Sequence, residues 1–172
     1  INKLPGINFG GLMTYPPKGK GGIVNGVLAE TKDLLENNKI DVPVVSVGGS
    51  PDMWNAHKLS VATEYRIGTY IYNDRSLLER GICAEKDCAL TILATVVSTP
   101  AKDRAVIDAG SKALTSDLFN LRGHGYIVGY PNLTISNLSE EHGCITSEAP
   151  TELQVGQKLQ IIPNHACVVS NM

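Results

Sequence analysis

Apolar positions along the chain fall into two regimes. In the first, Ile7-Asn8-Phe9-Gly10-Gly11-Leu12-Met13-Thr14-Tyr15 reads as a short buried strand stopped by Pro16-Pro17, with Tyr15 at its C-terminal end. After a Gly/Lys-rich loop, Ile23, Val24, Val27, Leu28, Leu34 and Leu35 recur at helical spacing up to Asn37-Asn38, which can end a helix. Val42-Pro43-Val44-Val45-Ser46-Val47 then forms the near-continuous β-branched run expected of a parallel strand buried on both faces. Thr63 to Tyr72 offers a further strand and a glycine turn. Strand, helix, strand in that order predicts α/β units, which collect their functional groups at the carboxyl ends of the strands.

From about residue 76 the pattern changes. One short helix is expected over Ser76 to Arg80. The runs 89–97, 104–108, 125–128, 143–146 and 159–162 are β-rich and separated by turn residues, as in a mostly antiparallel β domain. The expected division is therefore 1–76 as α/β and 77–172 as β. No internal repeat or low-complexity tract interrupts it.

Composition narrows the functional classes. A chain of 172 residues with 42% apolar content can bury a core, and a formal charge of -2 without blocks of like charge gives no reason to expect nucleic acid or a membrane surface as partner. No apolar run approaches the ~20 residues of a spanning helix, and no basic segment followed by an apolar core opens the chain, so a cytoplasmic place is expected by default. The four cysteines (Cys83, Cys88, Cys144 and Cys167) are few for a disulfide-stapled domain and read as thiols. An opening Ile1-Asn2 and an abrupt close at Met172 lead to the expectation of a longer parent polypeptide.

Two stretches carry candidate chemistry. Gly48-Gly49 lets backbone approach a ligand closely, Ser50 suits an N-cap and Pro51 the first helical position, so a helix N-terminus able to take a phosphate is expected there. A plain turn would use the same residues. Gly68, with the Thr69 hydroxyl and nearby backbone N–H groups, offers further anion donors, or a strand with a bulge. In Pro163-Asn164-His165-Ala166-Cys167-Val168-Val169, a strand would point His165 and Cys167 to one face, where an imidazole and a thiolate can share a metal ion. Thiolate softness favours zinc, and two protein ligands leave positions open for substrate. Taken alone, such a pair also fits ordinary packing.

The ordered blocks Gly10-Gly11-Leu12-Met13-Thr14-Tyr15, Gly48 to Trp54, Tyr65 to Asp74, Asp108-Ala109-Gly110-Ser111-Lys112, Ser139-Glu140-Glu141-His142-Gly143 and Pro163-Asn164-His165-Ala166-Cys167 resemble the D-threonine aldolase and D-serine dehydratase family from about Gly10 onward. The resemblance implies the C-terminal portion of a pyridoxal-phosphate-type (β/α)8 barrel of the alanine racemase group, followed by the β domain, and a homodimer. It also implies that the Schiff-base lysine lies in an N-terminal barrel segment that these residues do not include. Lys112 is a tempting substitute, but it sits in the β domain, where a structural or substrate-side role is expected.

Carried onto this sequence, the resemblance implies that Gly48, Gly49 and Ser50 cradle the cofactor phosphate, helped by Gly68, Thr69 and Tyr70. It places Tyr15 near cofactor and substrate as a catalytic residue, and gives Arg66 either a place facing the pyridine nitrogen or a salt bridge of the barrel. His165 and Cys167 match the metal pair, with zinc first and manganese or magnesium as alternatives. The implied reaction is lyase chemistry on D-3-hydroxy amino acids: aldol cleavage of the D-threonine type first, with dehydration of D-serine or D-3-hydroxyaspartate as the alternative. Racemisation needs no metal beside the β-carbon and ranks below both. A non-catalytic fragment that binds a partner chain is the rival from another class. His142, His124 and His57 read as ordinary turn or surface histidines before they read as bases, and Cys83 with Cys88 as plain thiols.

Overall fold

The computed structural model describes residues 4–172; Ile1 and Asn2, which prompted the expectation of a longer polypeptide, lie outside them. The chain divides into two compact units, Ile1–Tyr70 and Ile71–Met172.

In the first unit, β1 (Leu12–Thr14), α1 (Gly21–Asn37), β2 (Val45–Gly48) and β3 (Glu64–Arg66) build a three-stranded sheet in the order β1-β2-β3, parallel throughout. All four β2 residues are buried, as the β-branched run predicted for a central parallel strand. Helix α1 covers this sheet with Leu28, Val24 and Leu35 against Val42, Val45, Val47 and Leu59. Its stripe of Ile23, Val27 and Leu34 stays exposed.

The strand expected over residues 7–15 is shorter and less buried than its composition implied. Pairing begins only at Leu12, whose N–H donates to Val44 O (2.8 Å), and Met13 is 73% exposed. Gly11 explains the late start. It has φ +134°, and a Cβ there would lie 2.0 Å from Val44 O, so the backbone bends sharply before the ladder forms.

In the second unit, α2 (Arg75–Leu78) precedes β4 (Ile92–Ala101), β5 (Arg104–Ile107), α3 (Ser111–Leu114), β6 (Tyr126–Ile127), β7 (Thr134–Leu138), β8 (Gly143–Thr146), β9 (Lys158–Ile162) and α4 (Ala166–Val169). The six strands are antiparallel in the order β6-β9-β4-β5-β8-β7. Ala94 faces Leu159, and Ala105 faces Ile145, so the inward positions of neighbouring strands stack into one core that also holds Val96, Ile107 and Ile161.

Strand β7 was not expected. Its register shifts between Ile135 and Asn137, which breaks the alternation that would have announced it. The reverse error falls on the closing stretch, where a strand was expected through His165 and Cys167. Instead His165 is extended (φ -139°, ψ 98°) at the N-cap of α4, and Cys167 lies inside that helix. The cause is tertiary. A buried carboxylate, Asp74, accepts the Ala166 N–H (3.0 Å) and starts a helix in residues whose β-branching favours a strand.

Candidate active site

Candidate residues of the first unit gather at the carboxyl ends of β2 and β3. Gly49 has φ +129°, and a Cβ on it would lie 2.7 Å from the Tyr15 ring, so only glycine fits between that ring and the turn. The Tyr65 hydroxyl donates to Gly49 O (3.0 Å), and the Gly49 N–H donates to Arg66 O (3.0 Å). Burial, together with the neighbouring Asp52 and Tyr15, raises the Tyr65 phenol, which keeps it a donor.

Beyond Gly49 the expected helix N-terminus takes another form. Gly49, not Ser50, holds the N-cap position, and Ser50–Lys58 is a 3-10 helix broken by non-helical backbone at Asp52. Such a segment lacks the aligned dipoles of a full α-helix. Ser50 is buried and its Oγ accepts the Thr69 N–H (3.1 Å), which ties the turn after β2 to the turn after β3. The Ser50 hydroxyl keeps its own proton to donate. Gly48, Gly49, Ser50, Gly68 and Thr69 thus come together, but the Gly49 and Thr69 amides are already spent inside the turn.

Arg66 straps the three strands together. Its Nε donates to Ser46 Oγ (2.8 Å) and its Nη2 to Thr14 O (2.9 Å), while Ser46 Oγ donates to Glu64. These are bonds to a hydroxyl and a backbone carbonyl rather than the salt bridge expected as one of its two roles. Tyr15 and Tyr70 are exposed at these strand ends.

In the second unit the chemistry centres on His165. Its Nδ1 meets Asp117 Oδ2 at 2.7 Å, and the Phe119 ring packs edge-on to the imidazole with centroids 4.8 Å apart. A carboxylate oxygen only accepts, so Nδ1 carries the proton, and in the neutral ring Nε2 is the nitrogen left with a lone pair. Ala166 is fully buried whereas His165 is half-buried and Cys167 exposed.

The surroundings of His165 are over-determined. Asn164, with no exposure, donates through Nδ2 to Asp117 O and Gly123 O, both at 2.9 Å. Arg75 Nη1 donates to Gly125 O (2.8 Å), and its N–H to Pro163 O (2.9 Å). The loop that delivers Asp117 holds three non-glycine residues at positive φ: Thr115 (65°), Phe119 (49°) and Asn120 (63°). Each costs on the order of 1–3 kcal/mol and persists only where its environment holds it.

Asp74, Asp117 and Phe119 were not singled out from the sequence. Asp74 and Asn164 lie inside the quoted blocks, but nothing local marks Asp117, which lies 48 positions from His165. Lys112 is exposed and paired with Glu141 (2.8 Å) and Glu140 (3.0 Å), which raise the pKa of its ammonium. His142 is exposed in the turn before β8. Among the described residues, no group of three or more His, Cys, Asp or Glu side chains could hold a metal ion. An imidazole held through Nδ1 and an exposed thiol two residues on are, by their chemistry, donors that suit a divalent metal.

A parallel sheet with glycine turns at its strand ends, followed by an antiparallel β unit, is the C-terminal portion of an alanine racemase-like barrel protein with its β domain. The solved D-threonine aldolase of Filomicrobium marinum superposes with a TM-score of 0.79 at 25% identity, covering 99% of this chain and 49% of that one. The family described as "Putative serine dehydratase domain" matches residues 89–172. Sequence identity is 34% over 156 residues with the D-threo-3-hydroxyaspartate dehydratase of Delftia sp. (strain HT23), covering 80% of this chain and 41% of that protein. It is 28% over 188 residues with the D-threonine aldolase of Arthrobacter sp., covering 98% and 47%. The chain belongs to the D-threonine aldolase and D-serine dehydratase family. It spans about half the length of the curated relatives it matches.

Proposed function

We propose that the full-length protein containing this chain is a pyridoxal-phosphate- and divalent-metal-dependent lyase acting on D-3-hydroxy amino acids. The observation that carries the reading is His165, fixed through Nδ1 by Asp117, with the Cys167 thiol two residues on. Two solved structures of D-threo-3-hydroxyaspartate dehydratase support it: variants in which a histidine and a cysteine two positions apart are each changed to alanine, the cysteine variant in the metal-free form.

Pyridoxal phosphate, when bound, supplies an electron sink for bonds broken at Cα, and a divalent metal supplies a Lewis acid for the substrate β-hydroxyl. Zinc is the first choice for a site containing a thiolate, with manganese or magnesium as alternatives. His165 and Cys167 would hold the metal. Ser50, Gly68, Thr69 and Tyr70 would receive the cofactor phosphate beside the Gly48-Gly49 turn, and Tyr15 would lie against cofactor and substrate. Arg66 would keep the three strand ends in register. The Schiff-base lysine would come from an N-terminal barrel segment, and a homodimer would be the active form. A cytoplasmic place agrees with four cysteines and no disulfide among the described residues.

Aldol cleavage to glycine and an aldehyde is the first reading, supported by similarity to D-threonine aldolases over almost the whole chain. β-Elimination from D-serine or D-3-hydroxyaspartate is the second, and the thiol at Cys167 favours it, because a solved D-threo-3-hydroxyaspartate dehydratase also carries a cysteine two positions after a histidine. Assay of the full-length protein with D-threonine and D-serine, before and after chelation, tests both. Glycine plus acetaldehyde supports cleavage and pyruvate plus ammonia supports elimination. Turnover indifferent to chelator removes the metal from the reading, and no turnover of these two or of D-3-hydroxyaspartate leaves the non-catalytic partner-binding role in its place.

A further inference from the structure

We propose that Asp117 is a positioning residue for the metal centre: its carboxylate holds His165 in the Nδ1–H tautomer and so aims the Nε2 lone pair at the divalent ion. The inference rests on the metal reading of His165 and Cys167 and adds to it a residue far away in sequence. Four observations carry it.

The first is the 2.7 Å contact itself, made to the ring nitrogen that a ligand using Nε2 leaves over. A histidine ligand gains orientation and basicity from a carboxylate on its second nitrogen. The second is that Asp117 is placed from both sides. Asn164, the immediate neighbour of His165, binds the Asp117 carbonyl through its amide (2.9 Å), so donor and acceptor are locked to one frame. The Asp117 N–H also donates to Thr115 Oγ1 (3.2 Å), which closes the loop on itself. The third is the loop conformation. Thr115 has φ 65° and ψ 150°, a region nearly reserved for glycine, and Phe119 and Asn120 are left-handed. A loop with no task beyond connecting α3 to β6 would relax by taking glycine at these positions. The fourth is Phe119, whose ring stands edge-on against the imidazole and limits its rotation.

A purely structural ion pair would tie the loop to α4 but would leave the ring tautomer and metal affinity of little consequence. The two roles therefore separate by experiment. In the full-length protein, metal removed by chelation is replaced with Co²⁺, and affinity is read by competition with a chelator. The thiolate-to-cobalt absorption serves as a signature of Cys167, and ¹⁵N shifts of the His165 ring report the tautomer in the metal-free protein. The unaltered protein is expected to show the thiolate band and a protonated Nδ1. His165→Ala should abolish tight binding. Asp117→Ala should weaken Co²⁺ roughly 10- to 100-fold while keeping the thiolate band, and should shift the ring toward the Nε2–H tautomer.

Asp117→Asn, which retains an oxygen acceptor without the charge, should fall between. Should the alanine variant fail to fold, the asparagine variant decides by the same two readouts. Co²⁺ affinity within twofold of the unaltered protein, in a folded Asp117 variant with an unchanged tautomer, overturns the positioning role while His165 and Cys167 remain ligands. No Co²⁺ binding in the unaltered protein, or undiminished binding in His165→Ala, overturns the metal reading and this inference with it.

Discussion

Asp74 and Ala166, 92 positions apart, are joined by a 3.0 Å hydrogen bond from the Ala166 N–H to Asp74 Oδ2. The other oxygen of the same carboxylate takes the Leu77 N–H (3.1 Å) and the Ser76 hydroxyl (2.7 Å). One fully buried side chain thus caps two helices, α2 at its own N-terminus and α4 at a distance. Through α4 it also sets where His165 and Cys167 stand.

Replacing Asp74 with alanine removes the side-chain acceptor of the Ala166 N–H and the Ser76 hydroxyl, while the Leu77 N–H keeps its bond to the Asp74 carbonyl (3.1 Å). The expected loss is about 1–3 kcal/mol of unfolding free energy for the unsatisfied groups. Asp74→Asn keeps an acceptor oxygen and should lose less. Urea denaturation of the full-length protein measures both; equal midpoints for the alanine variant and the unaltered protein would contradict the double cap.

Gly49→Ala should damage the turn after β2 twice over, through φ +129° and through a Cβ 2.7 Å from the Tyr15 ring. Strain of about 1–3 kcal/mol corresponds to roughly 5- to 150-fold weaker retention of a cofactor held by that turn. Absorbance titration with pyridoxal phosphate reads it. By contrast, a Cβ at Gly22 in α1 meets nothing within 4 Å, and Gly22→Ala should be neutral or stabilise by about 0.5–1 kcal/mol.

Burial lowers the pKa of His124, whose Nδ1 is buried and has no hydrogen-bond partner. The unfolded chain therefore binds the proton first as pH falls through about 6.5. Stability is full above that value, declines as pH drops toward the depressed folded pKa, and is level below it. His124→Gln should flatten this slope. Urea midpoints at pH 7.5 and 5.5 test it, and an unchanged pH difference in the variant would assign the slope elsewhere.

The Cys88 thiol is pushed up to about 12, by burial first and then by Cys83 and the carboxylates of Asp74 and Asp87. Burial raises Cys83 as well, against a partly offsetting hydrogen bond from Cys88. At pH 8 Cys88 should be alkylated by iodoacetamide at least roughly a hundredfold more slowly than a cysteine in an unfolded peptide, since the thiolate is the reactive form. Mass spectrometry of timed digests follows it. Alkylation at the peptide rate would show that the thiol is neither desolvated nor crowded by negative charge.

Helix α1 and the central strand β2 were legible because their signals are local: apolar spacing over 17 residues in one case, a β-branched run buried on both faces in the other. Four of the five β-rich runs of the second regime also became sheet strands of four or more residues at the expected places, or at most a few residues later, and the fifth shrank to Tyr126–Ile127. Ser50 and His165 show where local reading stops. Both stand out for their chemistry in the sequence, but Ser50 is drawn into a bond with Thr69, and His165 is turned out of a strand by the cap that Asp74 provides.

Residue types and their spacing along the chain determined that a parallel α/β stretch precedes an antiparallel one, and that an imidazole and a thiol stand two positions apart near the end. Tertiary structure alone decided which nitrogen of His165 is taken, because the group that takes it, Asp117, is brought in by a loop whose strained backbone no single-residue preference would choose. Spacing and propensity encode contacts between near neighbours. A bond spanning 48 positions exists only once Asn164, Asp74 and the sheet have closed around it.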